Sequence, residues 1–502
     1  MVSTLILTAF AVVVISILFL KEYIGIRKHK LPPGPKGLPI LGHLHLLGKN
    51  PHQDLQKLSQ IHGPIMHLRL GSVHNIVASS PRTAEQFLKT HDHKFASRPP
   101  QELIKCLTYD QKDVVFGQYS PYWREMRKLI TQELLNSSKI SSFRPMRRQE
   151  LCLLIESFKQ PALNGETVDL SAKVASMTVD MSCRMLFGMK YEDSDIGDEK
   201  GFKAVIAESA HLAGVPNLGD YVPLVGKLDI QGLNRRAKAV AKLFDQFFER
   251  IIDEHEEQVD EGCYDYASKD FVDILLGIMK NKETSFEFTR EHVKCMMFDL
   301  LVASMDTSST VIEWAMSELL KNPTTMKKVK KELEAQVGLG RMVEEDDLEH
   351  LKYLEMVIKE SLRLHPVSPL LHHSAMEDCT IDNFHVPKNA TVTVNVWAIG
   401  RDPGTWPDPE RFDPERFDGR NVDFRGRNFE LIPFGSGRRS CPGLQLGITI
   451  VRLVLAQLVH CFDWELPNAA LPENLDMSEE FGIVVSRAQH LKVIPSYYRL
   501  SV

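Results

Sequence analysis

The stretch FGSGRRSCPG, from Phe434 to Gly443, decides the fold of this 502-residue chain. It contains three glycines, two arginines and Cys441, and it lies between an apolar strand-like segment and a helical one. Backbone N–H groups of a glycine-rich turn, a following helix N-terminus and nearby arginines all favour a thiolate. Pro442 suits the first turn of that helix, and Gly443 permits a flat partner to approach closely. The stretch predicts a metal-ligating thiolate at Cys441, with a buried structural cysteine as the alternative.

Two other interpretations of this stretch fail on spacing. A zinc site needs a second Cys or His close in sequence, and Cys441 has none at finger spacing. A dinucleotide-binding fingerprint needs a third glycine and a following βαβ unit, which GSGRRS lacks. The eight cysteines are scattered without a CxxC pair, which is typical of reduced thiols in a cytosol-facing protein.

Length and charge limit the class of protein. With 502 residues, of which 43% are hydrophobic, the chain predicts either two domains or one unusually large domain. The formal net charge is -6, and no run of five or more Lys or Arg occurs. These features do not favour a nucleic-acid partner.

The N-terminus carries an apolar run without charges, VSTLILTAFAVVVISILFL, from Val2 to Leu20. Nineteen such residues are just long enough to cross the hydrocarbon core of a membrane. A cleaved signal peptide is the alternative, but no Lys or Arg precedes the run and it exceeds the usual signal-peptide length. A basic cluster follows it, so the rest of the chain is expected in the cytosol; its members are Lys21, Arg27, Lys28 and Lys30. Residues 1–20 are therefore predicted to be a transmembrane signal anchor.

The segment LPPGPKGLP, residues 31–39, contains four prolines and two glycines. This composition predicts a stiff extended spacer. We take residues 21–39 as a basic and proline-rich linker. Beyond it, long helical windows alternate with two β-rich segments, at 64–79 and 390–399, and no repeat period occurs. Residues 40–502 are predicted to form one large domain that is mainly α-helical with a minor β region.

The longest helical window runs from Thr289, a candidate N-cap, to Pro323, about 50 Å at 1.5 Å per residue. Its middle holds Asp306 followed by the four hydroxyl residues 307–310, all weak helix formers. Such hydroxyls often only bond back to the preceding turn. An acid in an apolar helix is less ordinary, because a buried carboxylate needs a partner or a task. The alternative to simple back-bonding is therefore a functional polar notch.

The cysteine stretch resembles the haem-binding signature of the cytochrome P450 monooxygenases, F-x-x-G-x-R-x-C-x-G. Three further motifs of that family occur in order: ASMDTS from Ala303, ESLR from Glu360 and PERF from Pro414. The stretches PPGPKGLPILG, FASRP and YWREMRK are similar to the microsomal plant branch. The resemblance covers essentially the whole chain, and it implies the cytochrome P450 fold and a haem b cofactor.

The resemblance also implies a role for individual residues. Cys441 would be the axial thiolate of the haem iron, and Glu360, Arg363 and Arg416 an ion-pair network behind it. The haem-binding positions implied by the family are Arg98, Trp123, Arg127, Ala303, His373, Phe434, Arg439 and Gly443. The cations and donors among them would bind the haem propionates through charge-assisted hydrogen bonds.

Asp306 and Thr307 match the family pair that delivers protons to oxygen. This is a general-acid role in a pocket that excludes water. Here the chain departs from the family pattern, because Ser304 replaces the usual glycine and Met305 follows it. A second departure is the loop PLLHHSAMEDC, which lacks a Pro and one residue, so His372 competes with His373 for the haem-binding position.

The family resemblance places a substrate pocket above the haem. Its expected lining is Val114, Phe116, Leu301, Val302, Val367, Leu371, Ile483 and Val484, together with Ala303. This apolar lining favours a lipophilic substrate held by shape. For each aliphatic side chain alone, ordinary core packing is the alternative.

The sequence contains no flavin or nicotinamide motif, so the resemblance implies an external electron source. Its expected partners are O2 as co-substrate and NADPH acting through NADPH-cytochrome P450 reductase, with cytochrome b5 as an optional second donor. Arg124 and Lys128 would form part of a basic docking face. Residues 215–225 would form part of a surface that touches the bilayer of the endoplasmic reticulum, with an ordinary packed loop as the alternative. The alternative functions are an oxygen-independent haem-thiolate isomerase or dehydratase, and a non-enzymatic haem carrier or sensor.

Overall fold

The computed structural model describes residues 30–190, 201–226, 228–260 and 269–497. The predicted transmembrane anchor, residues 1–20, and the linker residues 21–29 lie outside the described residues.

Helices make up most of the described chain, as the sequence predicts. The longer ones are Pro51–His62, Pro121–Leu129, Arg144–Asn164, Leu170–Phe187, Gly201–Gly214, Leu233–Asp260, Phe271–Asn281, Arg290–Met305, Thr307–Lys321, Pro323–Gln336, Lys352–Leu364 and Leu444–Cys461. Short α-helical turns occur at Pro81–Glu85, Asp92–Phe95, Glu102–Leu107, Ser137–Ser142, Leu218–Tyr221, Pro223–Gly226 and Val396–Ile399.

The β region is small, and its largest sheet has four strands. They are ordered Ile65–Leu70, Val73–Ala78, Thr391–Asn395 and Leu370–Ser374. The first two form a hairpin, the second and third run parallel, and the last pairs antiparallel to the third. Both β-rich segments predicted from the sequence contain strands, although residues 396–399 are helical, and the structure places these strands side by side in one sheet. The remaining strands are Val168–Asp169, Cys379–Ile381, Phe384–Val386, Phe462–Glu465, Glu479–Glu480, Ser486–Arg487 and Lys492–Tyr497.

The long core helix, residues 290–321, differs from the uninterrupted helix that the sequence predicts. Thr289 is its N-cap as expected, but the helix breaks at Asp306, whose backbone has φ -103° and ψ -23°. Around the break, the hydroxyls of Ser304 and Thr307 donate to the carbonyls of Leu300 at 2.6 Å and Ala303 at 2.8 Å. Hydroxyl groups that compete for carbonyls in this way bend a helix. The hydroxyl groups therefore bond back to the preceding turn, as the first interpretation predicts. Asp306 lies at the junction between the two helical segments.

The hydrophobic core surrounds the long core helix and the helix Leu444–Cys461. Buried side chains of both, such as Ile312 and Val454, belong to one continuous cluster. A smaller cluster packs on one face of the four-stranded sheet. Both helices, Arg290–Lys321 and Leu444–Cys461, are long and apolar enough to cross a membrane, yet 67% and 72% of their most apolar windows are buried inside the fold. We therefore assign them as core helices.

Candidate haem-binding site

The cysteine loop, residues 434–443, is a closed turn held against neighbouring segments. The N–H of Cys441 donates to the carbonyl of Phe434 at 2.9 Å. Gly437 has φ +68°, and a Cβ there would lie 2.3 Å from the carbonyl oxygen of Leu88, so only glycine fits. The following helix begins at Leu444 with Gly443 as N-cap. Pro442 therefore precedes the N-cap and lies outside the helix, whereas the sequence predicts it in the first turn.

The thiol of Cys441 lies in an environment that both raises and lowers its pKa. Burial raises the pKa above the ordinary value, while the N–H of Gly443 and the charge of Arg127 lower it. The two thiolate-favouring groups expected from the sequence are thus present, but burial outweighs them in the free thiol. A metal ion deprotonates the thiol that coordinates it. The raised pKa of the free Cys441 thiol is therefore compatible with metal ligation.

Arg127 reaches the cysteine loop from the helix Pro121–Leu129. Its Nη2 donates to the carbonyl of Ser440 at 2.5 Å, and its guanidinium lies 5.6 Å from the centre of the Trp123 ring. Trp123 is buried, and its indole N–H donates to the carbonyl of Val114 at 2.9 Å. Its N–H is therefore engaged within the protein, and its ring supports the arginines around it.

Arg439 is buried and held by carbonyl groups. Its guanidinium donates to Ala96 at 2.6 Å, Val114 at 3.1 Å and Gly117 at 2.5 Å. It stacks 3.9 Å from the centre of the Trp123 ring. Burial, reinforced by the charge of Arg98, lowers the pKa of Arg439 to about 8. An arginine in this state gains strongly from a nearby anion.

Arg98 and His373 complete the group of predicted haem-binding side chains. Arg98 donates to the carbonyl of Val115 at 3.0 Å and to that of His372, and burial lowers its pKa to about 10. His373 is buried, and its Nδ1–H donates to the carbonyl of Phe95 at 2.9 Å. Burial, followed by the charge of Arg98, holds the pKa of His373 well below its ordinary value.

Strand register separates the two competing histidines. His373 lies opposite Val392 and His372 opposite Thr393, so the two side chains occupy opposite faces of the sheet. His372 bonds Thr393 through Nδ1 at 3.1 Å, away from the predicted haem-binding group. Leu371 shares the face of His373 and lies 3.8 Å from the position of a Cβ on Gly435. The geometry thus favours His373 for the haem-binding position.

We call Arg98, Arg127 and Arg439 the cation cluster. In the part of the chain that the structure describes, no carboxylate lies within ion-pair distance of any of the three. A haem carries two propionates, which supply the missing negative charge. Beside the thiol, Gly443 leaves open a position where a Cβ would lie 3.8 Å from Sγ of Cys441. These residues fit a haem: Cys441 would hold its iron, and the cation cluster would bind its propionates.

The ion-pair network around Glu360 has a different composition. Glu360 and Arg363 have no exposed surface, and two parallel hydrogen bonds of 2.7 and 2.8 Å join them. The same carboxylate accepts from Nε of Arg416 at 2.9 Å and from the N–H of Asp413 at 2.8 Å. Arg363 also donates to the carbonyls of Gly400 and Pro409. Both arginines here have a carboxylate partner inside the protein.

The helix break at Asp306 lies beside the cysteine helix. Ser308 Oγ is 3.7 Å from the position of a Cβ on Gly447, in the first turn of the helix Leu444–Cys461. Burial raises the pKa of Asp306 above its ordinary value. Ala303, one turn earlier, is exposed, and its carbonyl is occupied by the Thr307 hydroxyl. The break therefore presents a protonatable carboxyl and a hydroxyl on one side of the long core helix.

The structure brings three of the predicted substrate-pocket residues together. The N–H of Val485 donates to the carbonyl of Val367 at 2.9 Å, which brings Ile483 and Val484 next to the segment after the ESLR motif. Leu301 differs from the expectation, because it is 0% exposed and points into the helical core. It is therefore removed from the lining. A surface cavity of about 560 Å³, lined by residues that include Asp169, Arg487 and His490, contains none of the predicted site residues.

Comparison with known proteins now adds to this geometry. Residues 32–492 match the cytochrome P450 family. The chain belongs to the cytochrome P450 family.

Curated relatives are plant cytochromes P450. Cytochrome P450 CYP736A12 of Panax ginseng is 50% identical over 484 residues, covering 94% of each chain. Tabersonine 6,7-epoxidase isoform 1 of Catharanthus roseus is 40% identical and covers 94% of this chain and 92% of its own length. Flavonoid 3'-monooxygenase CYP75B137 of Crocosmia x crocosmiiflora is 38% identical and covers 98% of this chain and 97% of its own.

Solved structures give the same family. A zebra fish cytochrome P450 solved with progesterone superposes with a TM-score of 0.76 at 26% identity, covering 89% of this chain and all of that one. The mainly helical cytochrome P450 fold expected from the sequence is thereby confirmed. As a member of this family, the protein is a monooxygenase that uses a haem-thiolate iron and O2.

Sequence reasoning missed two carboxyls next to this cytochrome P450 site. Asp299 lies on the long core helix and is 5% exposed, and Asp113 lies just before Val114 and is 1% exposed. The N–H of Val114 donates to Asp299 Oδ2 at 2.7 Å. The signal that singled out Asp306, an acid within an apolar helix, also applies to Asp299 in MMFDLL.

Proposed function

We propose that the protein is a membrane-anchored haem-thiolate monooxygenase that inserts one oxygen atom into a lipophilic plant metabolite. Electrons come from NADPH through NADPH-cytochrome P450 reductase, with cytochrome b5 as an optional donor. One observation carries this proposal: a cysteine in a closed glycine-rich loop lies near three arginines, one of them buried, that have no carboxylate partner among the described residues.

In this proposal Cys441 ligates the iron, and the cation cluster holds the propionates. When bound, the haem supplies an iron at which O2 is activated. The thiolate comes from the loop, and the N–H of Gly443 and the charge of Arg127 stabilise its negative charge. Arg98, Arg439 and His373 orient the cofactor edge from the sheet side, where burial makes their hydrogen bonds to an anion strong.

Asp306 and Thr307 hold and move a proton. The raised pKa of Asp306 means that its carboxyl retains a proton to higher pH than an ordinary Asp. The Thr307 hydroxyl donates to the Ala303 carbonyl, so its oxygen remains able to accept a hydrogen bond from water. Together they form a short proton path into an otherwise apolar pocket.

The substrate class follows from the pocket and from the relatives. The pocket-lining side chains Val114, Phe116, Val302, Val367 and Leu371 are all apolar. Relatives 38–40% identical are named for a flavonoid and for tabersonine, both polycyclic plant compounds. We propose a phenylpropanoid, biphenyl or terpenoid substrate that binds mainly by shape.

Turnover with purified reductase tests this function. Microsomes that contain the protein and reductase should oxidise at least one member of a panel of phenylpropanoids, biphenyls and terpenoids, and the product should incorporate oxygen from O2. Product formation without NADPH and O2 would instead support an isomerase or dehydratase. A haem spectrum without any product across the panel would favour a carrier or sensor.

The reductase is proposed to dock beside the cysteine loop. Arg124 and Lys128 are both exposed on the helix Pro121–Leu129, the helix that also carries Arg127 to Ser440. This places two positive charges on the outer side of the helix that contacts the cysteine loop. Such a face suits a partner with an acidic surface.

The membrane-facing surface is proposed to be larger than residues 215–225 alone. Within that segment Leu218 is 40% exposed, whereas Tyr221 is half-buried and its carbonyl accepts from the N–H of Ser72. The adjacent Gly71 N–H donates to the carbonyl of Leu41. Exposed apolar side chains therefore cluster around this point: Leu38, Ile40, Leu41, Leu218, Leu228 and Ile230. Their exposure favours contact with the bilayer of the endoplasmic reticulum.

Flotation with liposomes tests this surface. A variant without residues 1–20 should still incorporate haem and still float in part. Changing Ile40, Leu218, Leu228 and Ile230 to serine should release it. The matched control changes Leu153 and Leu163, which are 48% and 72% exposed on the helix Arg144–Asn164, and should leave flotation unchanged. Equal flotation of both variants would remove the surface from the proposal.

A further inference from the structure

The segment from Asp113 to Gly117, here called the pocket segment, is held by two carboxyls through its N–H groups. The N–H of Val114 donates to Oδ2 of Asp299 at 2.7 Å, and the N–H of Phe116 donates to Oδ2 of Asp113 at 2.7 Å. Asp299 belongs to the long core helix, far away in sequence. The pocket segment is thereby tied to the helix that also carries Asp306 and Thr307.

The carbonyls of the same segment hold the haem-binding side chains. Val114 accepts from Trp123 at 2.9 Å and from Arg439 at 3.1 Å. Val115 accepts from Arg98 at 3.0 Å, and Gly117 accepts from Arg439 at 2.5 Å. One short stretch of backbone therefore sets both the pocket side chains Val114 and Phe116 and two members of the cation cluster.

The two buried carboxyls adjoin each other, because the N–H group that Asp299 binds belongs to the residue that follows Asp113. Asp113 and Asp299 are 1% and 5% exposed, and Oδ1 of Asp113 has no hydrogen-bond partner in the part of the chain that is described. Burial, followed by the charge of Asp113, raises the pKa of Asp299 well above its ordinary value. Burial also raises the pKa of Asp113. Two buried carboxyls in contact retain one proton, because two facing negative charges without water repel strongly.

We propose that Asp113 and Asp299 form a proton-sharing carboxyl pair that positions the pocket segment for substrate and haem binding. The pair acts through Val114, Phe116 and the arginines, so these two residues are positioning residues. This inference rests on the proposed function, since it concerns the pocket and haem edge assigned there. No motif of the sequence analysis includes either residue.

The pair faces several other titratable groups. On the long core helix, Cys295 lies one turn before Asp299, and burial raises its pKa. Tyr122 faces the pair from the helix Pro121–Leu129, with a pKa that burial also raises. Arg98 and Arg439 face Asp113, with pKa values lowered to about 10 and about 8. The ion pair of Lys112 with Glu291 lies at the outer edge.

The direction of the pH effect follows from these shifts. As pH rises through the pKa of the pair, the shared proton is lost and two facing carboxylates remain. The pair should then separate and release the pocket segment, so ligand affinity should fall on the alkaline side. Arg439 is present in every variant compared, so any titration of this residue affects all of them equally. A difference between the wild type and a variant of the pair therefore measures the contribution of the pair.

The test uses the full-length protein with haem and three variants. In Asp299→Asn, the amide oxygen can accept from Val114 and the NH2 can donate to Asp113, which replaces the shared proton. In Asp299→Leu, both interactions are lost. Cys295→Ala is the matched control, because this buried side chain lies one turn away and bonds Thr108 rather than the pocket segment.

Two probes read the pocket segment. The first is hydrogen–deuterium exchange of peptides that contain Val114 and Phe116. The second is spectral titration with 4-phenylimidazole, whose phenyl ring fills the pocket, compared with imidazole, which reports ligation alone. Asp299→Leu should accelerate exchange and weaken 4-phenylimidazole binding by about ten- to hundredfold, the loss of one hydrogen bond to a charged group. Imidazole affinity should change much less, and Asp299→Asn and Cys295→Ala should resemble the wild type.

The pH series supplies a second measurement that does not need the leucine variant. Between neutral and alkaline pH, wild-type affinity for 4-phenylimidazole should fall, and Asp299→Asn should retain its affinity better. Parallel curves for these two proteins would overturn the inference, and so would exchange in Asp299→Leu equal to that of Asp299→Asn. A wild type without a thiolate-type spectrum of its reduced carbon monoxide complex would instead contradict the proposed function.

Discussion

Two groups of arginines, one around Glu360 and one around Trp123, differ in their counter-charge. Arg363 and Arg416 share the carboxylate of Glu360. Arg98, Arg127 and Arg439 donate to backbone carbonyls and to Ser440, without an ion-pair partner among the described residues. The first group is complete within the chain, whereas the second is complete only with an anionic ligand.

This difference separates folding from cofactor binding. A buried charge without its partner costs several kcal/mol, so arginines that serve the fold are expected to carry a carboxylate. Carbonyl oxygens orient a guanidinium but neutralise little of its charge. Lowered pKa values for Arg98, Arg127 and Arg439 are the consequence, since burial dominates each of them.

The largest effect is expected from Glu360→Gln. This change leaves two buried guanidiniums without their carboxylate and should cost about 3–5 kcal/mol of unfolding free energy. Thermal unfolding of the haem-free protein should detect the loss, because the network does not depend on the cofactor. Glu415→Gln in the same region, with a partly exposed carboxylate, is the control and should have a small effect. Equal stability of both variants would contradict a structural role for the network.

A smaller and differently located effect is expected from Arg439→Met. Loss of a cation that binds a propionate should weaken haem retention by about 1.5–3 kcal/mol, typical of a hydrogen bond to a charged group. The haem-to-protein ratio after gel filtration measures this loss. Its neighbour Arg438 pairs with Asp92 at 2.6 Å and is 45% exposed, so Arg438→Gln should retain haem. Normal haem content in Arg439→Met would break the proposed division between the two arginine groups.

The smallest structural effect, with a specific chemical one, is expected from Thr307→Ala. Haem content should stay normal, while reducing equivalents are diverted from product to hydrogen peroxide because proton delivery is impaired. Peroxide formed per NADPH consumed measures this diversion. Thr307→Ser should restore coupling, and Ser309→Ala, which removes a back-bonded hydroxyl two residues away, should leave it unchanged. Tight coupling in Thr307→Ala would exclude the proposed role.

Features of the fold that depend on local sequence could be predicted. The N-cap at Thr289 and the presence of strands within residues 64–79 and 390–399 each follow from short patterns. The helix break at Asp306 could not be placed, because it depends on which carbonyls the nearby hydroxyls select. The sequence shows the hydroxyl groups that compete for backbone carbonyls but not which carbonyls they bond.

Features of the site that depend on contacts between residues distant in sequence could not be predicted. The preference for His373 over His372 comes from strand pairing with Thr391–Asn395. The hydrogen bond from Val114 to Asp299, which places Asp113 beside that carboxyl, joins a loop to a helix across much of the chain. The raised pKa of the Cys441 thiol arises from desolvation by surrounding segments, which outweighs the N–H of Gly443 and the charge of Arg127. None of these quantities is encoded in a motif of ten residues.

The most direct test of the central claim is the absorption spectrum of the reduced carbon monoxide complex of Cys441→Ser. The wild type should show the thiolate-type band, and the serine variant should lose it, because a hydroxyl does not supply a thiolate ligand. Cys379→Ser, which removes a buried cysteine outside the site, is the control and should retain the band. A thiolate-type band that persists in Cys441→Ser would contradict the assignment of this residue as the haem ligand.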